Sequence, residues 1–313
     1  MMTEITIGVD ISKDHLDAHR LPDEAERRFS NDQAGICALM AWIGPAPPER
    51  IIYEPTGRYH RLFERQLGQA GLSLVKVNPR QARRFAEATG KLAKTDRADA
   101  AMLARLGMAL KPQPRPLTSE IINQLRSLQL ARDALVKDRT AAKNRQQALD
   151  HPLIKRQNTA RLAQIAAQMK ELETETQALI ATCPDLAQRL KILISIPGLA
   201  RQTASVLLIS MPELGSLEAK QAAALAGLAP VTRQSGQWQA RAHIRGGRAN
   251  VRHALYMPAL VAARFNPDLK AKYQQLISAG KPPKVAIVAV MRKLLVLANA
   301  LLSQNREWTN MMA

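Results

Sequence analysis

Hydrophobic and polar positions change period several times along the first hundred residues. Residues 4–20, EITIGVDISKDHLDAHR, hold two β-rich runs separated by a polar break at Ser12–Asp14, which predicts a hairpin. ERRFSNDQ at 26–33 adds a candidate third strand. AGICALMAWIG switches to helical spacing and stops near Gly44 and the proline-rich APPER. RIIYEP at 50–55 is an apolar run closed by an acid and a proline, hence a buried strand ending at Glu54. RYHRLFERQLGQAG predicts a helix with a glycine stop, and LSLVKVNP another buried strand. PRQARRFAEATG predicts a helix opened by proline in its first turn, and TDRADAAMLARLGMAL a further helix. A hairpin followed by strand–helix–strand–helix implies a mixed sheet with helices, about 110 residues long and within the usual domain range.

KPQPRPLT at 111–118 places three prolines in positions 112–116, a stiff connection suited to a boundary. From 118 to about 182 the chain is rich in Leu, Ala, Gln, Lys, Arg and Glu at helical spacing, broken by HPLI at 151–154. Two long antiparallel helices follow, serving as a spacer or dimerising arm, or simply as part of a bundle. Periodicity does not decide between these. Beyond 184, SIPGLARQTA has the form helix, Pro-Gly turn, helix. Such a turn can aim backbone N–H groups at a phosphate, or it can be a helix hairpin in a core. The apolar stretch VAIVAVMRKLLVLANALL is interrupted by Arg292 and Lys293, so it reads as a buried amphipathic helix and not as a membrane span. The expected organisation is α/β plus all-α, with segments 1–112, 113–183 and 184–313.

Composition sharpens this outline. The 313 residues are 46% hydrophobic and only 4% aromatic, the balance of a helix-dominated protein of two domains. Lys and Arg number 45 against 26 Asp and Glu, giving a formal charge of +19. A chain this basic attracts a polyanion and releases its counterions; a basic surface without a dedicated partner is the alternative. Cys37 and Cys183 lie far apart without metal-ligand spacing, which fits a reducing, cytoplasmic setting. The opening MMTEITIGVD does not read as a signal peptide.

Acids then stand out against the positive background. Asp10 closes the apolar run GVD, Glu54 closes IIYE, and Asp96 and Asp99 open a helix that Thr95 or Asp96 could cap. Acids at strand ends and at a helix start can converge on one edge of a sheet. Hard carboxylate oxygens suit Mg²⁺, and a pair of metals can activate one oxygen and stabilise another in phosphoryl transfer. Taken singly, an acid at a strand end is more often a turn or cap residue, and it is the four together that favour a metal site. Asp14 and Asp17 compete with Asp10 for the role, and Asp10 is preferred because it follows the apolar run directly. Arg97 points off the face shared by Asp96 and Asp99 and is a candidate phosphate or core-edge contact.

A second cluster lies in GLAPVTRQSGQWQARAHIRGGRANVRHALY. Residues 231–313 carry 13 Lys and Arg against 2 Asp and Glu, a dense polyanion face. Arg241, Arg245, Arg248 and Arg252 are the candidate nucleic-acid contacts. Ser235 beside Gly236 could be a nucleophile with guanidinium forks holding the developing charge. Ser-Gly is also a common turn pair, and spacing alone favours that plainer reading. His243 and His253 lack partners at ligand spacing.

GVDISKDHLDAH, YEPTGRYH, NPRQARRFAEATGKLAKTDRADA and GLAPVTRQSG…GGRANVRHALYMPAL, in this order, resemble the DEDD transposases of the Piv/MooV-like insertion-sequence family, the bridge-RNA-guided serine recombinases. The likeness covers nearly the whole chain and is weakest in the middle helices. It implies a RuvC-like, RNase H-type first domain with Asp10, Glu54, Asp96 and Asp99 as Mg²⁺ ligands, a helical coiled-coil middle, and a mainly helical C-terminal transposase domain. It also implies that Ser235 attacks DNA to give a covalent phosphoserine intermediate, followed by strand exchange through a Holliday-type junction. Implied partners are donor and target DNA, a structured non-coding bridge RNA, and further copies of the chain, first as a dimer and then as a tetramer with sites completed between protomers. One position departs from the pattern: the family often has Gly five residues after the serine, where this chain has Ala240.

Two other readings compete with the recombinase. A RuvC-like junction nuclease would use the acids to activate water and leave Ser235 a bystander. A non-catalytic nucleic-acid-binding regulator would need neither, although binding alone gains nothing from a Mg²⁺ cage.

Overall fold

The computed structural model describes residues 4–55, 57–90, 96–114, 119–232, 242–309 and the backbone of 234–235 and 238–239. It separates into two compact units, residues 1–118 and 119–313. The architecture is mixed α/β, with a central mixed sheet in the first unit and a mainly helical second unit.

In the first unit the predicted hairpin forms from β1 (Thr6–Ile11) and β2 (His15–Leu21), and β3 (Ala25–Ser30) adds the third strand. Next come α1 (Gln33–Ile43), β4 (Arg50–Tyr53), α2 (His60–Gln69), β5 (Leu74–Lys76), α3 (Pro79–Ala88) and α4 (Asp96–Leu110). The strand order is β3-β2-β1-β4-β5. The first three strands pair antiparallel, whereas β4 and β5 run parallel to β1. Every residue of β4 is buried, as a central parallel strand covered on both faces requires. Asp32 caps α1 by accepting from the Gly35 N–H, and Asn78 caps α3 ahead of its first-turn proline. The cap expected at Thr95 lies outside the described residues.

One face of the sheet packs on α1 and α2 through Ile7, Val9, Ile36, Leu39, Tyr53 and Phe63. The other face receives α4, whose buried side is small: Ala100, Ala101, Ala104 and Gly107 beside Met102, Leu103 and Leu106. Its seat on β1 is Gly8. A Cβ there would collide with the carbonyl of Ala100 and the backbone nitrogen of Ala104. The missing side chain is therefore what lets the helix backbone lie directly on the strand. That approach carries the first turn of α4 to the ends of β1 and β4.

The second unit begins with the two long helices expected from the spacing. These are α5 (Glu120–Gln146), capped by Ser119, and α6 (Pro152–Ala181), which starts at a proline behind His151. They lie antiparallel, tied by Arg132 to Glu173 at 2.9 Å and by the Asn158 amide donating to the Ala142 carbonyl at 3.1 Å. Then follow α7 (Pro184–Ser195), α8 (Arg201–Ser210) and α9 (Ala219–Leu225). Four two-residue strands come next, β6 (Pro230–Val231), β7 (Gln234–Ser235), β8 (Trp238–Gln239) and β9 (His243–Ile244). The unit closes with α10 (Ala249–Phe265), α11 (Pro267–Ser278) and α12 (Pro283–Ser303). Ile122, Leu125 and Ile180 share one core with the later helices, so the ends of the long pair that lie near 120 and 180 are rooted in it.

Helix α12 is the only described helix long and apolar enough to cross a membrane, and half of its apolar window is buried within the unit. Asn299 on it accepts from the Gly215 N–H at 2.9 Å and donates to the Leu217 carbonyl at 2.7 Å. A buried amide spent on two loop groups marks a core helix, as Arg292 and Lys293 anticipate.

Candidate active site

Strand alternation places the acids. Gly8 faces α4, so Asp10, two residues on, faces the same side. Ile52 also faces α4, at Gly107, and Glu54 is two residues beyond it. Because Val9 pairs with Tyr53 in parallel register, Asp10 and Glu54 leave neighbouring strands at the same level. Asp96 and Asp99 form the first turn of α4, where the helix dipole favours negative charge.

The four acids meet electrostatically. The Asp10 carboxyl is pushed up to about 6, first by burial and then by the negative charges of Asp99, Asp96, Asp17 and Glu54. All four sequence-predicted acids thus share one locality, and a fifth, Asp17, joins them. Asp17 faces Asp10 directly across the β1–β2 pair. Its side chain is only 4% exposed, and Arg28 from β3 grips both its oxygens at 2.9 Å. The same guanidinium reaches Oδ2 of Asp96 at 3.2 Å. Arg28 therefore offsets the charge of Asp17 and tethers the start of α4 to the sheet. A cavity of about 190 Å³ opens beside this pair, lined in part by His19, Arg28 and Arg97.

Sequence reasoning treated Asp17 as a competitor of Asp10 and did not single out Arg28. The signal was in the hairpin register, where Asp17 and Arg28 stand opposite each other.

The donor set suits a hard divalent cation. It consists of carboxylates with no thiol or imidazole among them, and its charges accumulate in one half-buried place. Among the described residues no three such groups already stand in a finished ligand cluster.

In the second unit the β-strands nest as one interrupted hairpin. Val231 pairs with His243 on the outer rung, and Ser235 pairs with Trp238 on the inner one. The backbone of Ser235 thus lies in the inner rung; Gly236 and Arg241 lie outside the described residues. Arg245 is exposed after the outer rung. Arg248 forks onto Glu213 at 2.8 and 2.6 Å and donates to the Ser210 carbonyl at 2.7 Å. Arg252 donates to the Gly246 carbonyl at 2.9 Å.

Two family models cover most of this architecture. One, described as a transposase, matches residues 7–150; another, described as transposase of the IS116/IS110/IS902 family, matches residues 190–274. The pilin gene-inverting protein of Moraxella bovis is 30% identical over 97% of this chain and 98% of its own length.

The chain belongs to the IS110 family of transposases.

Its counterpart in Moraxella lacunata, also a pilin gene-inverting protein, shows the same 30% identity and coverage. The insertion element IS110 43.6 kDa protein of Streptomyces coelicolor is 29% identical over 45% of this chain and 34% of its own length. This IS110-family chain is accordingly a DNA transposase or recombinase, an enzyme whose substrate is DNA. The acids stand inside the first matched segment and Ser235 inside the second.

Proposed function

We propose that this transposase moves an insertion sequence by serine chemistry supported by a divalent-metal site. The observation that carries the metal half is the gathering of Asp10, Glu54, Asp96 and Asp99 around one half-buried carboxyl whose proton affinity they raise. These four residues would hold Mg²⁺, which would neutralise charge on the phosphate and polarise its oxygens. A RuvC-like, RNase H-type identity for the first unit is supported by the order β3-β2-β1-β4-β5, antiparallel in its first three strands and parallel in the rest.

In the serine half, Ser235 Oγ attacks phosphorus of the scissile phosphodiester. A phosphoserine ester forms, the bond to a deoxyribose oxygen breaks, and that oxygen leaves as a hydroxyl with the proton the serine loses. Attack by a deoxyribose hydroxyl on the ester reverses these changes with a new strand and frees the serine. The likeness to the pilin gene-inverting proteins supports rejoining as well as cutting. Guidance by a non-coding bridge RNA, a dimer assembling to a tetramer, and a cytoplasmic location belong to the same proposal. For assembly, 113–183 is the proposed dimerising segment. Leu130, Leu153 and Ile154 are exposed on its helices, apolar surface that a second copy would cover.

Ser235→Ala is the deciding variant. With Mg²⁺, element-end DNA and RNA transcribed from the element's flanks, the wild type should give a covalent protein–DNA adduct mapping to Ser235. The variant should give neither adduct nor exchange, with its melting temperature unchanged. A variant that still cuts DNA would leave the junction-nuclease reading standing instead.

A further inference from the structure

The arginines of GGRANVR read from sequence as a phosphate-binding face. In the structure Arg248 does something else. It is the residue just before α10, the end of a helix where a cation is electrostatically unfavourable. Its guanidinium is 28% exposed and turned onto Glu213, with a further bond to the Ser210 carbonyl at the end of α8. Its backbone N–H donates to the Leu225 carbonyl at 2.7 Å, at the end of α9. One residue therefore ties the return of the serine hairpin to two places in the helical core.

The hairpin needs such a tie. Each of its two rungs is only two residues long, and so short a ribbon is marginal on its own. Its direction must be set at the base, where the chain leaves α9 and rejoins α10. There Gly227 and Gly247 sit backbone against backbone with φ of 68° and 63°. A Cβ on Gly227 would collide with the Gly246 carbonyl, and one on Gly247 with the backbone of Gly227. Arg252 closes the same junction through the Gly246 carbonyl. The two crossing strands are thus welded at the foot, and Ser235 stands at the inner rung above it.

We propose that Arg248, held by Glu213 and seated on the Gly227–Gly247 contact, is a positioning residue that fixes the hairpin carrying Ser235, and is not a DNA phosphate contact. This rests on the reading of Ser235 as the nucleophile. A ribbon that wanders by about 1 Å at its inner rung can lose about a hundredfold in the rate of attack without losing affinity for DNA.

Two variants separate the roles because they predict opposite signs. If Arg248 served a phosphate, Arg248→Gln would reduce the slope of log affinity against log salt by about one. Glu213→Gln would then tighten DNA binding by freeing the arginine. If Arg248 positions, both variants leave the salt slope unchanged. Both should raise amide hydrogen exchange in 230–244 at least tenfold in the full chain without DNA. Both should slow formation of the Ser235 adduct on a nicked element-end duplex by about tenfold to a hundredfold. Because each removes the same tie, the double variant should be no slower than the worse single one. Arg248→Lys, which keeps the charge but loses the fork, should fall between wild type and Arg248→Gln.

Unchanged exchange, or a lost salt-slope unit, overturns the proposal. So does faster exchange with an unaltered adduct rate. A wild-type adduct on a residue other than Ser235 would instead bring down the serine reading itself.

Discussion

In the first unit, acids stand at the ends of long buried strands and on a helix pressed against them. In the second, a serine stands on a strand of two residues, and what fixes that strand lies at its foot. The first arrangement draws its precision from a core. Gly8, Ala100 and Ala104 let α4 touch β1, and that contact brings Asp96 and Asp99 toward the strand ends that carry Asp10 and Glu54. The second draws its precision from backbone glycines and one guanidinium fork. Charge is treated differently as well. Asp99, Asp96, Asp17 and Glu54 all raise the proton affinity of Asp10, and Arg28 offsets two of these charges, gripping Asp17 and reaching Asp96. At Arg248 a cation is cancelled by Glu213. The contrast teaches that a cluster of like charges can be held where its frame is a packed core, while a ribbon of two-residue strands needs its frame tied down at the foot.

The largest test of this contrast is a methyl group. Gly8→Ala forces α4 off β1, and overpacking of this kind costs about 1–3 kcal/mol or more. The first unit should melt markedly earlier by circular dichroism. Gly247→Ala should act chiefly on the hairpin, visible as faster exchange in 230–244 with the main melting transition little moved. Equal global losses from the two substitutions would erase the distinction between a site framed by core and a site framed at its foot.

A smaller effect is expected at Arg28. Arg28→Gln leaves the buried Asp17 carboxylate without its two-pronged partner, and an unsatisfied buried group costs about 1–3 kcal/mol. Since Arg28 is itself 44% exposed, the lower part of that range is expected. Chemical denaturation should show the loss in wild-type background. It should largely vanish when Asp17→Asn is also present, because the charge that needs the arginine is then gone. Full loss in the double variant would mean that Arg28 stabilises the unit through Asp96 or through packing, and not through Asp17.

How much of this was legible in advance follows from where the information sits. The strands and helices of the first unit were readable because burial imposes a period, and Asp10 and Glu54 could be picked because each follows an apolar run. Asp96 and Asp99 were readable as a pair because they share one helix face. The Asp17–Arg28 pair is not evident in sequence because it depends on the β2–β3 register, which the turn between Leu21 and Ala25 leaves open. Glu213 was invisible because it lies 35 residues from Arg248 in a turn without periodic pattern. Arg248 looked like a phosphate ligand for the same reason: a sequence shows a charge but not the partner that already holds it.

The narrowest effect, confined to a pH window, has its sign fixed by Asp10. The folded carboxyl titrates near 6, above the ordinary carboxylate range, so the folded state holds this proton more tightly than the unfolded chain does. Ionised Asp10 therefore weakens the fold. In chelator, its contribution improves as pH falls through about 6, and the penalty is gone only below the ordinary value of 3.8, where the carboxyl is protonated in both states. Above about 6 the penalty is complete and constant. Asp10→Asn removes both the charge and its titration. The variant should accordingly melt above the wild type at pH 7.5, and the gap should close on acidification toward pH 4. Melting curves at the two pH values give the comparison directly. A gap that is constant with pH would mean that neither burial nor the neighbouring acids act on Asp10. The rigid frame of the first unit would then hold four independent carboxylates, with no charge cluster for a cation to relieve.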